Sequence, residues 1–373
     1  MIAAQQTGAL QALGVVLATG VALLAGGIAQ APAQVNLALI GSCGVFAIYH
    51  LLGWVQRGPG YLHPLVLLVI FTNLWIAALA LSAAPEAAFW VGASTVAIWL
   101  LAWWLVAQLS DLPARKGVLG VGQALLAPIL FGATLLWLWE VTVRALDVPR
   151  VILPAPSLIW ERFLRSTDVL WVDFVQTFVK GALSGYAIGV GAALVFALLV
   201  DRSDFLRRGL LPVGNFLAAL PIIGTAPIMV MWFGFDWPSK AAVVVAMVFF
   251  PMLVNTVQGL AATEAMQRDL MRTYSASWGQ ALLKLRLPAA MPFIFNGLKI
   301  SSTLALIGAI VAEFFGSPTR GMGFRISTEV GRLQLDMVWA EITVAAVAGS
   351  LFYGFWALLE KQVTFWHPSQ RAR

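Results

Sequence analysis

Ten times along its 373 residues this chain runs for about the length a bilayer-crossing helix needs, roughly 20 apolar residues, almost free of charge. A chain built this way cannot cover a water-facing surface. Only 11% of its residues are charged and 60% are hydrophobic, against roughly 25% charged in soluble domains. The runs are long and do not alternate polar with apolar residues, so they read as helices rather than barrel strands. The expectation is an all-α, polytopic membrane protein with about ten transmembrane helices.

The candidate spans are Gly8–Ile28, Val35–Val55, Leu62–Ala83, Ala87–Leu109 and Gly120–Val141. After a long polar connection come Trp171–Val200, Leu210–Gly234, Pro238–Leu260, Pro292–Phe315 and Met337–Leu359. Lysine and arginine in the short connections set the orientation. With the N-terminus inside, the internal connections hold Arg57, then Arg115 and Lys116, then Arg202, Arg207 and Arg208. The first two external ones, Ala29–Gln34 and Ala84–Glu86, hold neither residue type. Both termini are therefore expected in the cytoplasm. The first basic residue is Arg57, so the N-terminus lacks the charged start of a cleaved signal peptide. The net charge of +6 reflects this loop bias and does not indicate nucleic acid. Cys43 is the single cysteine, which excludes an intrachain disulfide and reads as a small packing residue.

The longest polar run between apolar segments in the second half is Asp269–Pro292, DLMRTYSASWGQALLKLRLPAAMP. Each half of it reads as a short helix. Ser277 with Gln280 has the spacing of a capping box. Leu282, Leu283, Leu285 and Leu287 give the second piece an apolar side, and Pro288 and Pro292 are expected to end it and begin the next span. A helix–turn–helix between two spans is a poor place for catalysis and a good place for a partner.

This stretch resembles the coupling loop of ABC-importer permeases, whose consensus is EAA, three residues, Gly, nine residues, an aliphatic residue, one more, then Leu-Pro. Leu287-Pro288 sets the register and Leu285 is the aliphatic position. Asp269 then stands for the Glu, Leu270 and Met271 for the alanines, and Ser275 for the glycine. From about Gly120 onward the chain also resembles the six-span permeases of the nitrate/sulfonate/taurine importer group. The matching pieces are LPAPSLIWERF (Leu153–Phe163), ALPIIGTAPIMVMWFGFDWPSK (Ala219–Lys240), FFPMLVNTVQGL (Phe249–Leu260), LRLPAAMPFIFNGLKIS (Leu285–Ser301), and IVAEFF followed by GMGFRIS. The resemblance implies a six-span type I permease domain over residues 120–373, with its cytoplasmic coupling loop at 262–291. Residues 1–119 are then a four-span extension of unknown role.

The sequence contains no G-x-x-x-x-G-K-[ST], so the chain has no phosphate-cradling loop with which to hydrolyse ATP itself. His50, His63 and His367 are scattered at span ends, and neither a nucleophile–base pair nor a metal-ligand spacing appears. The expectation is a chain that is not an enzyme and binds no cofactor, with ATP used by a partner subunit.

Several residues are candidates for a translocation path. Leu220-Pro221-Ile222-Ile223-Gly224, followed by Pro227, puts two prolines and a glycine in one span. Such a break is tolerated where protein or a water-filled cavity meets the freed carbonyls, and it reads either as a pathway-lining segment or as a structural kink. Asn255 and Thr256 follow Pro251 within a span. Lys299 and Glu313 share the ninth span about 21 Å apart, too far to pair with each other. Lys299 is read as snorkelling to the cytoplasmic face or contacting substrate. Glu313 is read as a carboxylate solvated at the helix end or as bordering the path, and Lys180 is a further candidate. Gly181, Gly185 and Gly189 line one helix face with glycine, for close packing inside one subunit or for a dimer interface.

The resemblance implies the transmembrane subunit of an ABC importer in a bacterial inner membrane, working as a homodimer with two cytoplasmic ATPase subunits and an external solute-binding protein. Its substrate class would be small organic or inorganic anions such as sulfonates, taurine or nitrate, or a vitamin precursor. The docking turn would be Tyr274, Ser275, Ala276, Ser277 and Trp278. The alternative is an ion-coupled secondary transporter, a class that places ionisable residues at mid-membrane in repeated halves. Here the halves are dissimilar and mid-span carboxylates scarce. A membrane scaffold without transport would leave the loop and the broken span unexplained.

Overall fold

In the computed structural model the structure describes residues 71, 72, 75, 88–110, 118–218, 222–316 and 320–367. The candidate spans Gly8–Ile28 and Val35–Val55, nearly all of Leu62–Ala83, and with them Cys43, Arg57 and Glu86, lie outside those residues. The described residues are helical and contain no strand. Two compact units divide at Ile159/Trp160, whereas the sequence reading begins its permease domain at about Gly120.

In the first unit, α1 (Ala88–Ser110) packs on α2 (Val118–Ala145), with the rings of Trp99 and Phe131 6.2 Å apart. Glu140, near the end of α2, is buried and receives three donors: Arg144 Nε at 2.5 Å, the Ser157 N–H at 2.8 Å and the Ser157 hydroxyl at 2.7 Å. The Ser157 amide lies in the first turn of α3 (Pro156–Arg165), where backbone N–H groups lack helical partners and favour an acceptor. This accounts locally for the LPAPS segment.

The second unit continues with α4 (Thr167–Arg202), α5 (Asp204–Ala218), α6 (Ile222–Phe233), α7 (Trp237–Ala261) and α8 (Ala265–Thr273). It ends with α9 (Trp278–Phe315), α10 (Met322–Gly331) and α11 (Leu335–Val363). Among the described residues, α4, α7, α9, α11 and the Ala124–Ala145 part of α2 are long and apolar enough to cross a bilayer. Within the expected span Leu210–Gly234, α5 is described to Ala218 and α6 from Ile222, and residues 219–221 lie outside the described residues.

Expected boundaries also change at the ninth span. Pro288 and Pro292 do not separate two helices, because α9 runs through both. Over Leu282–Arg286 the helix widens to π pairing, with the Leu287 N–H donating to Leu282 O five residues back. That change of register falls immediately ahead of Pro288, a residue with no N–H to offer a carbonyl four back. The wide turn lets the helix absorb the proline without ending.

Lipid tails are as apolar as leucine, so helices in a membrane associate by close contact rather than by burying oil. The glycine face of α4 serves that purpose within this chain. A Cβ placed on Gly185 would lie 2.5 Å from Val244 Cβ and 2.7 Å from Ala241 O, and one on Gly189 would overlap Val248. Glycine therefore sets the approach of α4 to α7, the intrasubunit alternative of the sequence reading. Gly259 of α7 does the same against α9, where a Cβ would lie 2.7 Å from Phe293 Cβ and 3.0 Å from Ala290 O. Around these seams Tyr186, Val244, Val248, Met252, Ile294, Leu298 and Ala305 form the core, closed on one side by Phe352 and Trp356 of α11.

Candidate functional site

The α8–α9 connection is built as two capped helices around one tight turn. Glu264 and Gln267 form a capping box at the start of α8, and Ser277 and Gln280 form the expected one at the start of α9. In the second, the Ser277 N–H donates to Gln280 Oε1 at 2.9 Å and the Gln280 N–H to Ser277 Oγ at 3.3 Å.

Between them α8 ends in a Schellman turn. The Ala276 N–H reaches back to Met271 O at 3.0 Å and the Ser275 N–H to Arg272 O at 2.8 Å. That pairing requires a left-handed residue at Ser275, which has φ +51°. Glycine makes this conformation without strain and serine does not. Ser275, aligned by register with the family's glycine, thus occupies the one backbone position of the loop that favours glycine.

The loop presents apolar side chains to its surroundings. Met266, Leu270 and Tyr274 recur every four residues on one face of α8, and all three are exposed, Tyr274 by 78%. Trp278 and Leu283 extend the exposed series onto α9. Asp269 is exposed as well, 3.4 Å from Arg272 across one helical turn. Ala276 is half-buried in the turn, and Leu287 and Pro288 are half-buried where the loop becomes the span.

The candidate path residues do not converge. Pro221 lies outside the described residues, Gly224 is exposed and Pro227 half-buried on α6. Asn255 donates to Pro251 O at 2.8 Å and accepts from Asn296 at 3.0 Å, so it ties α7 to α9. Lys299 does not end in solvent. Its ammonium meets Glu360 of α11 at 2.7 Å, with both side chains largely covered. Lys180 is exposed within the π-paired stretch Val175–Leu183.

Glu313 is not solvated by an outer loop. It is 2% exposed, and both oxygens lie within 2.9 Å of the Thr177 hydroxyl, while Oε2 also accepts the Gly323 N–H at 2.8 Å. Thr177 Oγ1 accepts from Met322 N at 2.7 Å, and Asp173 accepts from Gly321 N at 2.6 Å and Arg325 Nε at 2.8 Å. Three side chains from α4 and α9 thus satisfy the free amides at the start of α10, where negative charge is favoured. Gly321, at φ +124°, has no room for a side chain because Glu313 fills the space. Lys240 is buried nearby on the chain path, donating to the carbonyls of Phe235 and Gly316 just beyond the end of α9.

Several buried ionisable groups are not evident from the sequence. Asp173, Glu329 and Glu341 are all buried with Glu313 and Lys240. Glu329 pairs with Arg332 at 3.3 Å, and Glu341 is fully buried on α11. Their only sequence signal is a carboxylate inside or beside an apolar run.

The sequence pattern of the family described as "Binding-protein-dependent transport system inner membrane component" matches residues 185–365, wholly within the second unit. A Haemophilus influenzae protein named "Probable ABC transporter permease protein" is 32% identical over 220 residues, which is 59% of this chain and 89% of the relative. The formylaminopyrimidine transport permease protein of Halalkalibacterium halodurans is 30% identical over 66% of this chain and 97% of its own length. The taurine transport system permease protein of Escherichia coli is 26% identical over 63% and 87%. Family match, near-complete coverage of these relatives and bundled apolar helices agree, and the chain belongs to the binding-protein-dependent transport system inner membrane components, the permease subunits of ABC importers.

Proposed function

We propose that this chain forms the membrane path of an importer for a small anion, a sulfonate such as taurine or an inorganic anion such as nitrate, or for a vitamin precursor of the pyrimidine type. Two copies pair in the inner membrane of a bacterium, lipid surrounding them. Two separate cytoplasmic ATPase subunits supply the energy, and an external solute-binding protein delivers the substrate. The likeness to permeases for taurine and formylaminopyrimidine supports the substrate class. The absence of a phosphate-binding loop from the sequence supports ATP hydrolysis on another subunit. Basic residues in alternate connections support ten spans with both termini in the cytoplasm. On this reading residues 1–119 add four spans to a six-span core at 120–373, an even number that leaves the core's orientation unchanged.

The observation that carries the proposal is the exposed loop. Met266, Leu270, Tyr274 and Trp278 are apolar side chains on a polar connection, framing a Schellman turn whose small residues allow close backbone approach. Aromatic anchors that fill a partner's pocket often contribute more than about 2 kcal/mol each. Closure of the ATPases would push the coupling loop, residues 262–291, and rock the spans between inward and outward access.

The test is Ala276→Arg, which places a bulky charge in the turn. The expected outcome is loss of ATPase co-purification, or retained hydrolysis without vesicle uptake, with the spans still folded as judged by an unchanged size-exclusion profile. Wild-type binding and uptake in this variant would show that the loop is not the coupling element.

A further inference from the structure

Beyond the docking turn, the structure shows how the loop is fastened to the spans. Asp201, next to last in α4, has a side chain only 6% exposed, and it faces Arg286, the last residue of the π-paired stretch of α9. Arg286 Nη1 meets Asp201 Oδ2 at 2.7 Å while Nη2 meets Oδ1, a two-pronged pair that fixes orientation as well as distance. The remaining edge of the guanidinium is used too, with Nε donating to Leu260 O at 3.1 Å. Leu260 is next to last in α7. One side chain therefore ties together the C-terminal ends of α4 and α7 and the start of the membrane part of α9. Both helix ends present unpaired carbonyls that favour a cation.

A second grip comes from the next residue of α4. Arg202 lies over the Trp278 ring, 5.2 Å from its centre, at the far end of the loop helix. Trp278 and Arg286 are eight residues apart, about 12 Å along the helix. Two contacts at that separation hold the loop helix against rotation as well as translation. Leading up to Arg286 is the π-paired stretch Leu282–Arg286, where five-residue pairing departs from the regular helix.

We propose that Arg286 and Asp201 form a strut that makes the loop helix and the ends of α4 and α7 move as one body. A displacement delivered at the turn then reaches the spans instead of being absorbed in the π-paired stretch. Both are positioning residues, acting through the helices they join. The inference rests on the reading that an ATPase docks on the loop, and it adds where the force goes next.

The variants Asp201→Asn, Asp201→Glu and Arg286→Lys separate this role from a purely structural one. Each full-length variant would be reconstituted in vesicles with its ATPase and binding protein, and scored for ATPase retention, hydrolysis and uptake per ATP. Asp201→Asn keeps the shape and removes the charge. It should retain the ATPase and its hydrolysis while uptake per ATP falls roughly tenfold or more, within the usual span of coupling between sites. Arg286→Lys, which loses the fork and the bond to Leu260, should fall in the same direction. Asp201→Glu, which keeps a carboxylate, should return to within about threefold of wild type. Unchanged uptake per ATP in Asp201→Asn would overturn the strut, and so would loss of the ATPase from that variant, since the pair would then shape the docking face. Failure of the unmodified chain to retain the ATPase would instead remove the docking reading, and the strut with it.

Discussion

Replacing Gly185 by alanine adds one methyl group at the closest approach of α4 to α7. The added carbon would sit 2.5 Å from Val244 Cβ and 2.7 Å from Ala241 O, where carbon contacts are comfortable at about 3.5–4.0 Å. The helices must part by roughly 1 Å, because the Ala241 contact is backbone and cannot turn aside. Overpacking of this kind costs about 1–3 kcal/mol. The better helix propensity of alanine returns up to about 1 kcal/mol, so with the full return the net loss is up to about 2 kcal/mol. Gly191 on the same helix is the control, since a Cβ there meets nothing within 4 Å among the described residues. Gly191→Ala should gain up to about 1 kcal/mol from propensity alone. In detergent-solubilised protein this separates the two variants in opposite directions, with Gly185→Ala lower in Tm by up to about 6 °C and Gly191→Ala level or higher by up to about 3 °C. A Gly185→Ala protein melting at or above wild type would refute the argument that glycine sets this helix distance.

Two further outcomes follow from the loop and the opposite end of the bundle. Ser275→Gly should relieve the left-handed strain and slow amide exchange in the loop by an amount equivalent to about 0.5–1 kcal/mol, while Ser275→Val should speed exchange there; no difference between them would argue against the Schellman turn. Glu313→Ala strips a buried carboxylate from Thr177 and the start of α10, which should cost about 1–3 kcal/mol for each donor left unpaired. It should appear as low yield and an unfolded residues 320–331 segment in limited proteolysis, whereas an unchanged Tm and proteolysis pattern would contradict the capping role.

The features legible in the sequence are those written in short-range spacing. Apolar runs announce the spans, Ser277 and Gln280 announce a helix start three residues apart, and glycine every four residues announces a close helix contact. The register that aligns Ser275 with glycine falls on the left-handed residue of the loop. What escaped reading lies in partners far apart along the chain. Arg286 and Asp201 are 85 positions apart, and Thr177 and Glu313 are 136 apart. Glu313 seen within its own helix looks like a terminal carboxylate, and only the fold brings α10 against it. The continuation of α9 through Pro288 was hidden for a different reason: five-residue pairing has no compositional signature, whereas proline after a polar stretch reads as a boundary.

The central claim, that this chain is the passive membrane half of an ATP-driven importer, is tested most directly by uptake into sealed proteoliposomes holding the chain with its ATPase. The assay supplies ATP inside and substrate-loaded binding protein outside, and repeats the measurement with ion gradients but no ATP. The account predicts uptake only when ATP and binding protein are both present, and no hydrolysis by the chain purified alone. Uptake driven by an ion gradient without ATP would contradict it and would make the chain a secondary transporter.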